Sequence, residues 1–228
     1  MTVSHIKTPL TFVRSDCVDS MWNLYFKRPQ SFTFEAGDWI ELQFKDEQLQ
    51  GGNVYSLSSS PTEDNLRITF RDGLSPFKQR LQNLASGDTV ILEKYGNDYN
   101  FQLRSHQTSM LIAGGIGIAP FRSMIEEFVD LSSRQTVTLL YINKNDSFLF
   151  KEELDEWARL LSHFSVEYIV SANLSRKKRN ALLLSRVTSV HQNFYISGPD
   201  AMVESTEHLL IDAGVAVRNI RIDNFGMY

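Results

Sequence analysis

Leu111-Ile112-Ala113-Gly114-Gly115-Ile116-Gly117-Ile118-Ala119-Pro120 reads as an apolar strand that runs into a glycine turn and then into a helix. Glycines at such a turn let the backbone approach a ligand. The N–H groups at the start of the following helix favour a phosphate. Pro120 falls in the first helical turn, where proline is tolerated. Gly115 and Gly117 match the first two positions of the dinucleotide fingerprint G-x-G-x-x-G, but Pro120 takes the third. No Gly-Lys-Ser/Thr follows, so the segment is not a phosphate loop. The plain alternative is a tight strand–helix turn that needs glycine only for its φ angles.

Outward from this turn, strand and helix alternate. Apolar, β-rich strands are predicted at 109–113, 136–142, 166–171 and 193–197, with a last strand at 215–222. Helices are predicted at 121–131, at 149–161 with Leu154, Trp157, Leu160 and Leu161 as the buried stripe, and at 201–213, closed by Gly214. Apolar strands separated by helices form a parallel, doubly wound α/β sheet. Before residue 105 the texture differs. Segments 10–16, 20–27, 38–44, 54–58, 66–71 and 89–93 are rich in β-branched and aromatic residues, with Gly37-Asp38, Gly51-Gly52 and Gly87-Asp88 between them. This spacing predicts an antiparallel β-barrel or sandwich. One helix interrupts it, with Ser75 as N-cap, Pro76 at the first position, Phe77, Leu81 and Leu84 on one face, and Gly87 as its end. The expectation is two domains, a β-barrel over 1–104 and an α/β domain over 105–228, joined by a linker at 104–108.

Composition narrows the function classes. The chain has 228 residues and a net charge of −4. Cut after Arg104, it carries 11 basic and 13 acidic residues before the cut and 12 and 14 after it. Neither half is basic, so nucleic-acid binding is not expected. Cys17 is the single cysteine, which excludes an intrachain disulfide, a Cys-based zinc site and an iron–sulfur cluster carried by this chain. The longest apolar stretch, residues 110–120, has 11 residues and three glycines, too short to span a bilayer. The N-terminus lacks the pattern of a signal peptide. A cytoplasmic protein without metal is expected.

Two more segments stand out. Ile196-Ser197-Gly198-Pro199-Asp200-Ala201-Met202 is another strand that ends in a turn and opens a helix, again at the carboxyl end of a parallel strand. Asn53-Val54-Tyr55-Ser56-Leu57-Ser58-Ser59-Ser60 joins an aromatic to a run of hydroxyls. An exposed Tyr there stacks on a flat cofactor while the Ser hydroxyls bond its heteroatoms. The plain reading is an amphipathic strand with Ser on its wet face.

Together and in this order, these segments resemble the ferredoxin–NADP reductase family of flavoenzymes. Family members carry R-x-Y-S/T in a flavin-binding barrel, G-G-x-G-x-T/A-P at the start of a nucleotide domain, C/S-G-P-x-x-M near the end, and an aromatic at the C-terminus. Gly73-Leu74-Ser75 matches the family's flavin-phosphate position. The resemblance covers essentially the whole chain. It implies that Tyr55 flanks the isoalloxazine and that Ser56 bonds near its N5, with Asn53 and Val54 beside them. Gly114, Gly115, Gly117, Ile118, Ala119 and Pro120 would take the pyrophosphate of the nicotinamide nucleotide. Ser197, Gly198 and Pro199, with Met202, would lie beside the nicotinamide. Phe225 or Tyr228 would cover the flavin. Tyr55, Ser56 and Ser197 are the candidate catalytic residues.

The chain departs from the family at four places. Asn53 stands for the family arginine that pairs with flavin phosphate, and Arg71 is the candidate replacement. Ser197 stands for the common Cys, Ala119 for the common Thr, and Tyr99 for a loop glycine. Arg176 and Arg179, in the run Ser175-Arg176-Lys177-Lys178-Arg179, are candidates for a 2′-phosphate, which favours NADPH over NADH. The alternative is a solvated basic loop. Glu126-Glu127 and Glu152-Glu153 read as solvated helix faces, and the five histidines show no metal-ligand spacing.

The implied activity is a flavin-dependent NAD(P)H oxidoreductase using FAD, or FMN, and NADPH or NADH. Electrons leave to a separate acceptor, a ferredoxin-type protein or a small molecule. One alternative is an NAD(P)H:flavin reductase with free flavin as acceptor. Another is a nucleotide- or flavin-binding module whose catalysis has degenerated.

Overall fold

The alternation of apolar and polar residues in the first hundred positions closes into a barrel. The computed structural model describes residues 2–45, 49, 53–103, 107–187 and 193–225. The described residues divide into two units, one holding those up to Gln102 together with Ala119–Glu127, the other holding those of Leu103–Ile118 and those from Phe128 onward.

In the first unit, strands β1 (Thr2–Val18), β2 (Met21–Lys27), β3 (Trp39–Gln43), β4 (Val54–Ser56), β5 (Asn65–Arg71) and β6 (Thr89–Asn97) pair in the order β4-β3-β6-β1-β2-β5. All these pairings are antiparallel. The two edges meet at a single bridge, Leu57 to Ile68, so the barrel is nearly closed. Strand β1 serves both β2 and β6, and its register shifts at His5/Thr8 and Phe12/Arg14. Such irregularities bend a strand around a barrel. Leu10, Leu24, Phe26, Ile40, Leu42, Ile68 and Leu92 fill the core. Helix α1 (Pro76–Gln82) starts as expected: Ser75 Oγ accepts the Lys78 N–H at 3.2 Å. Phe77 and Leu81 are buried, and Phe77 packs 5.2 Å from the Phe44 ring. The helix ends at Gln82 rather than at Gly87, because Asn83 closes it with a bond to the Arg80 carbonyl. Gly87, at φ +94°, instead turns the chain into β6.

Farther along the chain come β7 (Ser109–Gly114), α2 (Ile118–Asp130), β8 (Val137–Asn143), α3 (Lys151–Leu160), β9 (Phe164–Val170), α4 (Arg176–Arg186), β10 (Asn193–Pro199), α5 (Asp200–Asp212) and β11 (Ile220–Phe225). The strands form a parallel sheet in the order β11-β10-β7-β8-β9. Every residue of β7 is buried, as a central strand covered on both faces requires. The expected architecture, an antiparallel barrel and a doubly wound parallel sheet, is borne out.

Three local expectations are corrected. The basic run at 176–179 is not a loop but the first turn of α4, capped by Ser175. In α3 only Leu154 is buried, and Leu160 is 63% exposed. Six residues of helix turn a side chain about 120° away from the starting stripe, so Leu160 never shared the face of Leu154. The last strand begins at Ile220, because residues 217–219 form a 3₁₀ turn.

Candidate functional site

The parallel sheet reverses its winding at β7, with β8 and β9 on one side and β10 and β11 on the other. Open α/β sheets bind ligands at the carboxyl ends of their strands at such a point. Both glycine motifs lie there. Ile112 pairs with Ile196 and Ala113 with Ser197, which sets the 114–117 turn beside the 197–199 turn. A Cβ on Gly117 would stand 2.2 Å from the Ser197 carbonyl oxygen and 2.7 Å from the Gly198 nitrogen. Glycine is therefore required at 117 by close backbone approach. Gly115 is needed for a different reason, its left-handed φ of +56°. Met202 and Pro199 pack on Gly114, and Gly198 packs on it from the other turn. Ile118, Ala119 and Pro120 are buried in the first turn of α2.

Ser197 is completely buried, and its Oγ has no hydrogen-bond partner among the described residues. An unpaired buried hydroxyl costs about 1–3 kcal/mol, and such an atom marks a place for a missing partner. Phe225 pairs in register with Pro199, at the same end of the sheet. Tyr228 lies outside the described residues.

The basic turn has its own electrostatics. Arg176, Lys177 and Lys178 are exposed and Arg179 is half-buried. The first turn of α4 holds no acidic residue. Cations at a helix N-terminus oppose the helix dipole by about 0.3–1 kcal/mol each. An anion bound there would reverse that penalty.

In the barrel, the Tyr55 expectation is corrected in part. Tyr55 is only 5% exposed, with its ring 5.5 Å from Phe70. Burial pushes its hydroxyl pKa up. The exposed neighbour on β4 is Val54, at 45%. The idea of serines on a wet face is corrected too, since Ser56, Ser58, Ser59 and Ser60 are all buried. Ser58 Oγ lies 2.8 Å from Thr69 Oγ1, Thr69 donates to Asn23 Oδ1 at 2.7 Å, and Asn23 donates to Asp16 at 2.7 Å. Ser59 Oγ accepts the Arg67 N–H at 2.9 Å. Ser58 and Ser59 can be buried because β5 supplies partners for their hydroxyls, the Thr69 hydroxyl and the Arg67 N–H.

At the start of α1, Gly73 and Ser75 are flanked by an exposed Arg71 and by Leu74, which is 89% exposed. A Cβ on Gly73 would lie 3.8 Å from the Lys78 ammonium. Burial pulls the Lys78 pKa down, while the Asp72 carboxylate opposes the shift. Lys78 was not singled out in the sequence, although its place three residues after the N-cap Ser75 puts it on the first helical turn.

A second group that sequence reasoning passed over is Arg122. Its Nη1 donates to the Ser58 carbonyl at 2.8 Å, to Glu63 Oε2 at 2.7 Å and to Glu126. Glu126 is therefore not a solvated helix face. Burial, aided by the hydrogen bond with Glu126, pushes the Glu63 carboxyl up to about 8. Burial alone would raise Glu126 as well, but hydrogen bonds from Glu63 and Arg122 outweigh it and hold Glu126 below the usual carboxylate range.

Comparison with known proteins agrees with this geometry. Residues 111–208 match the family model of the oxidoreductase NAD-binding domain. The structure superimposes on a ferredoxin NADP+ reductase from Neisseria gonorrhoeae with bound FAD and NADP, with a TM-score of 0.77 and 21% identity over 95% of this chain and 98% of that one. The fold is that of the ferredoxin–NADP reductase-like flavoproteins. The cytochrome P450 reductase GcoB of Amycolatopsis shares it, with a TM-score of 0.79 and 21% identity over 98% of this chain and 72% of that one. Among curated relatives, dual oxidase 2 of Sus scrofa is 27% identical over 58% of this chain. The plasma membrane-associated coenzyme Q6 reductase of Saccharomyces cerevisiae is 30% identical over 63% of it. The chain spans 9% of the length of the first and 47% of the second.

Tyr99 holds a left-handed φ of +57°, a conformation that costs an L-residue about 1–2 kcal/mol. Asn53 is half-buried, and its carbonyl accepts the Leu42 N–H at 2.8 Å. Among the described residues no helix is long and apolar enough to cross a membrane.

Proposed function

We propose that this chain is a flavin-dependent NAD(P)H oxidoreductase, with a nucleotide-binding α/β domain at about 105–228 and a flavin-binding barrel at about 1–104. The observation that carries the reading is the pair of interlocked glycine turns at the sheet's switch point, with the buried Ser197 hydroxyl, which has no partner among the described residues, in the second of them. A cradle that excludes even a methyl group, next to an orphaned donor, fits a nicotinamide nucleotide. A flavin bound on the barrel would supply two-electron redox chemistry between a reduced nicotinamide and the acceptor.

The chain's own residues bind and orient. Gly114, Gly115, Gly117, Ile118 and Ala119 turn backbone N–H groups toward the pyrophosphate, and Pro120, which has no N–H, fixes the first turn of the helix behind them. Ser197, Gly198, Pro199 and Met202 fix the nicotinamide, and the Ser197 hydroxyl gains the partner it lacks. Arg176 and Arg179 take a 2′-phosphate, which favours NADPH. On the barrel, Asn53, Val54, Tyr55 and Ser56 form the flavin strand, and Gly73, Leu74 and Ser75 take its phosphates with Arg71 and Lys78. FAD is the favoured flavin, and FMN fits the same strand. The acceptor is a separate molecule, a ferredoxin-type protein or a small oxidant, since a single cysteine leaves this chain without an iron–sulfur cluster.

Anaerobic spectroscopy tests this. Purified protein, or protein given FAD, should show a flavin band that NADPH bleaches. A protein that takes up neither FAD nor FMN and oxidises no NADPH refutes the reading. Asn53, which brings no guanidinium to the flavin phosphate, favours a second reading as an NAD(P)H:flavin reductase. In that case gel filtration strips the flavin, and added free flavin restores NADPH oxidation without any protein acceptor.

A further inference from the structure

A cavity of about 550 Å³ lies between the start of β1, the end of β6, the segment that leads into β3 and the segment that follows β6. Small-molecule sites usually enclose about 300–1,000 Å³. Ser4, Thr33, Glu35, Tyr95, Asn100 and Gln102 are among its walls. All of them belong to the first unit. None is a candidate for the flavin strand or the flavin phosphates, so the cavity is a site apart from those.

Its walls are tied together by side chains. Asp38, 6% exposed, accepts the Glu35 N–H at 2.9 Å on one carboxylate oxygen and the Asn97 side-chain amide at 3.0 Å on the other. Asn97 Oδ1 in turn accepts the Phe101 N–H at 2.6 Å. The Glu35 carboxylate accepts the Gln102 side-chain amide, which joins the two segments a second time. A Cβ on Gly37 would stand 2.0 Å from the Phe101 carbonyl oxygen, so only glycine lets the segments approach this closely. Tyr99 and Asn100 hold left-handed φ angles side by side, +57° and +54°. Walls ordered in advance lower the entropy lost on binding, and backbone strain of this kind gathers at ligand sites.

The chemistry of the walls is one-sided. They hold two carboxylates, Glu35 and Asp38, with the hydroxyls of Ser4 and Thr33, and among the described residues no basic side chain lines the cavity. A third acid stands close: burial, with the charges of Glu35 and Asp38, pushes the Glu127 carboxyl up. Two cations lie nearby and are engaged elsewhere. Lys94, next to Tyr95, pairs with Glu41 at 2.9 Å. Arg28 packs 5.2 Å from the Phe34 ring and donates to the carbonyls of Phe32 at 3.0 Å and Pro61 at 2.5 Å. Phe34 and Tyr95 add aromatic wall. Among the described residues no acids and histidines gather in the number a metal ion needs. The complement of such walls is a ligand with positive charge, several N–H donors and an apolar body. We propose that this cavity binds a small organic cation bearing a guanidinium or alkylammonium group. The proposal stands independently of the flavin-dependent reading.

Agmatine, which carries a guanidinium and an ammonium on a short alkyl chain, is the probe, and N-butylurea is its neutral control. Titration calorimetry at low salt should give agmatine a dissociation constant of about 1 mM or tighter. N-butylurea should bind at least about tenfold more weakly. Glu35→Gln keeps an acceptor for Gln102 but removes the exposed charge, and should weaken agmatine about tenfold. Glu152→Gln removes an equal charge from the exposed start of α3 and should change the affinity less than about twofold. Thr33→Trp, which adds bulk at the wall without altering charge, should weaken agmatine by at least about tenfold. Amide shifts in heteronuclear NMR should concentrate at 33–38 and 95–102. The proposal is overturned by an absence of saturation at about 10 mM agmatine, by equal binding of N-butylurea, or by equal effects of Glu35→Gln and Glu152→Gln. Wild-type affinity in Thr33→Trp, or shifts centred elsewhere, overturns it too. Should Thr33→Trp fail to fold, the two Glu→Gln variants decide alone. NADPH oxidation, measured separately, decides the flavin-dependent reading, and neither result bears on the other.

Discussion

Gly117→Ala probes the cradle most directly. The new Cβ would meet the Ser197 carbonyl oxygen at 2.2 Å, its carbonyl carbon at 2.4 Å and the Gly198 nitrogen at 2.7 Å. All three are backbone atoms on β10, so no side chain can swing aside. To reach even 3.0 Å, the 117 and 197 turns must separate by at least 0.8 Å. Overpacking of this kind costs about 1–3 kcal/mol, roughly 5- to 150-fold in an equilibrium constant. Nucleotide affinity should fall by at least about tenfold, because the same displacement moves the N–H groups meant for the pyrophosphate. Gly87→Ala is the control. Its φ is +94° with nothing within 4 Å, so it suffers backbone strain of about 1–2 kcal/mol without a clash. Urea midpoints and NADP+ titration calorimetry read the two effects. Gly87→Ala should lose stability and keep affinity, and Gly117→Ala should lose both. A Gly117→Ala protein with wild-type midpoint and affinity would refute the argument that backbone approach dictates glycine there.

Three further outcomes are expected. Ser197→Ala removes a buried hydroxyl that has no partner among the described residues, so the urea midpoint should hold or rise, by up to about 1 kcal/mol, while single-turnover reduction by NADPH slows; a clear loss of stability would mean that the hydroxyl is paired. Replacing Arg176 and Arg179 by Ser should raise KM for NADPH more than for NADH in steady-state assays, and equal effects count against a 2′-phosphate site. Ser75→Ala should cost about 1 kcal/mol by thermal unfolding through loss of the N-cap to Lys78.

Much of the fold was legible because its signals are local. The apolar run at 111–113, the glycines after it and the Ser75-Pro76 cap each depend on neighbours a few residues away. The candidate site was half legible on the same terms: the 114–117 turn and the Gly-Pro turn at 197–199 are each signalled by neighbouring residues. Helix α4 was hidden because four cations at its start oppose the helix dipole, which makes the segment read as a loop. Tyr55 was expected to be exposed, but alternation along β4 says only that successive side chains point to opposite faces. Which face is the core depends on how the barrel closes.

Arg122 and Glu63 show the limit more sharply. They lie 59 positions apart, and nothing near either residue names its partner. The sequence by itself determined the elements, their alternation and the glycine turns, since propensity and periodicity are properties of short stretches. Only the tertiary structure decided that the serines after Tyr55 are buried, that Gly117 meets the backbone of Ser197, and that Glu63 and Glu126 share the Arg122 guanidinium. Those facts arise from packing between distant segments, where burial turns an ordinary carboxylate or hydroxyl into one that must find a partner.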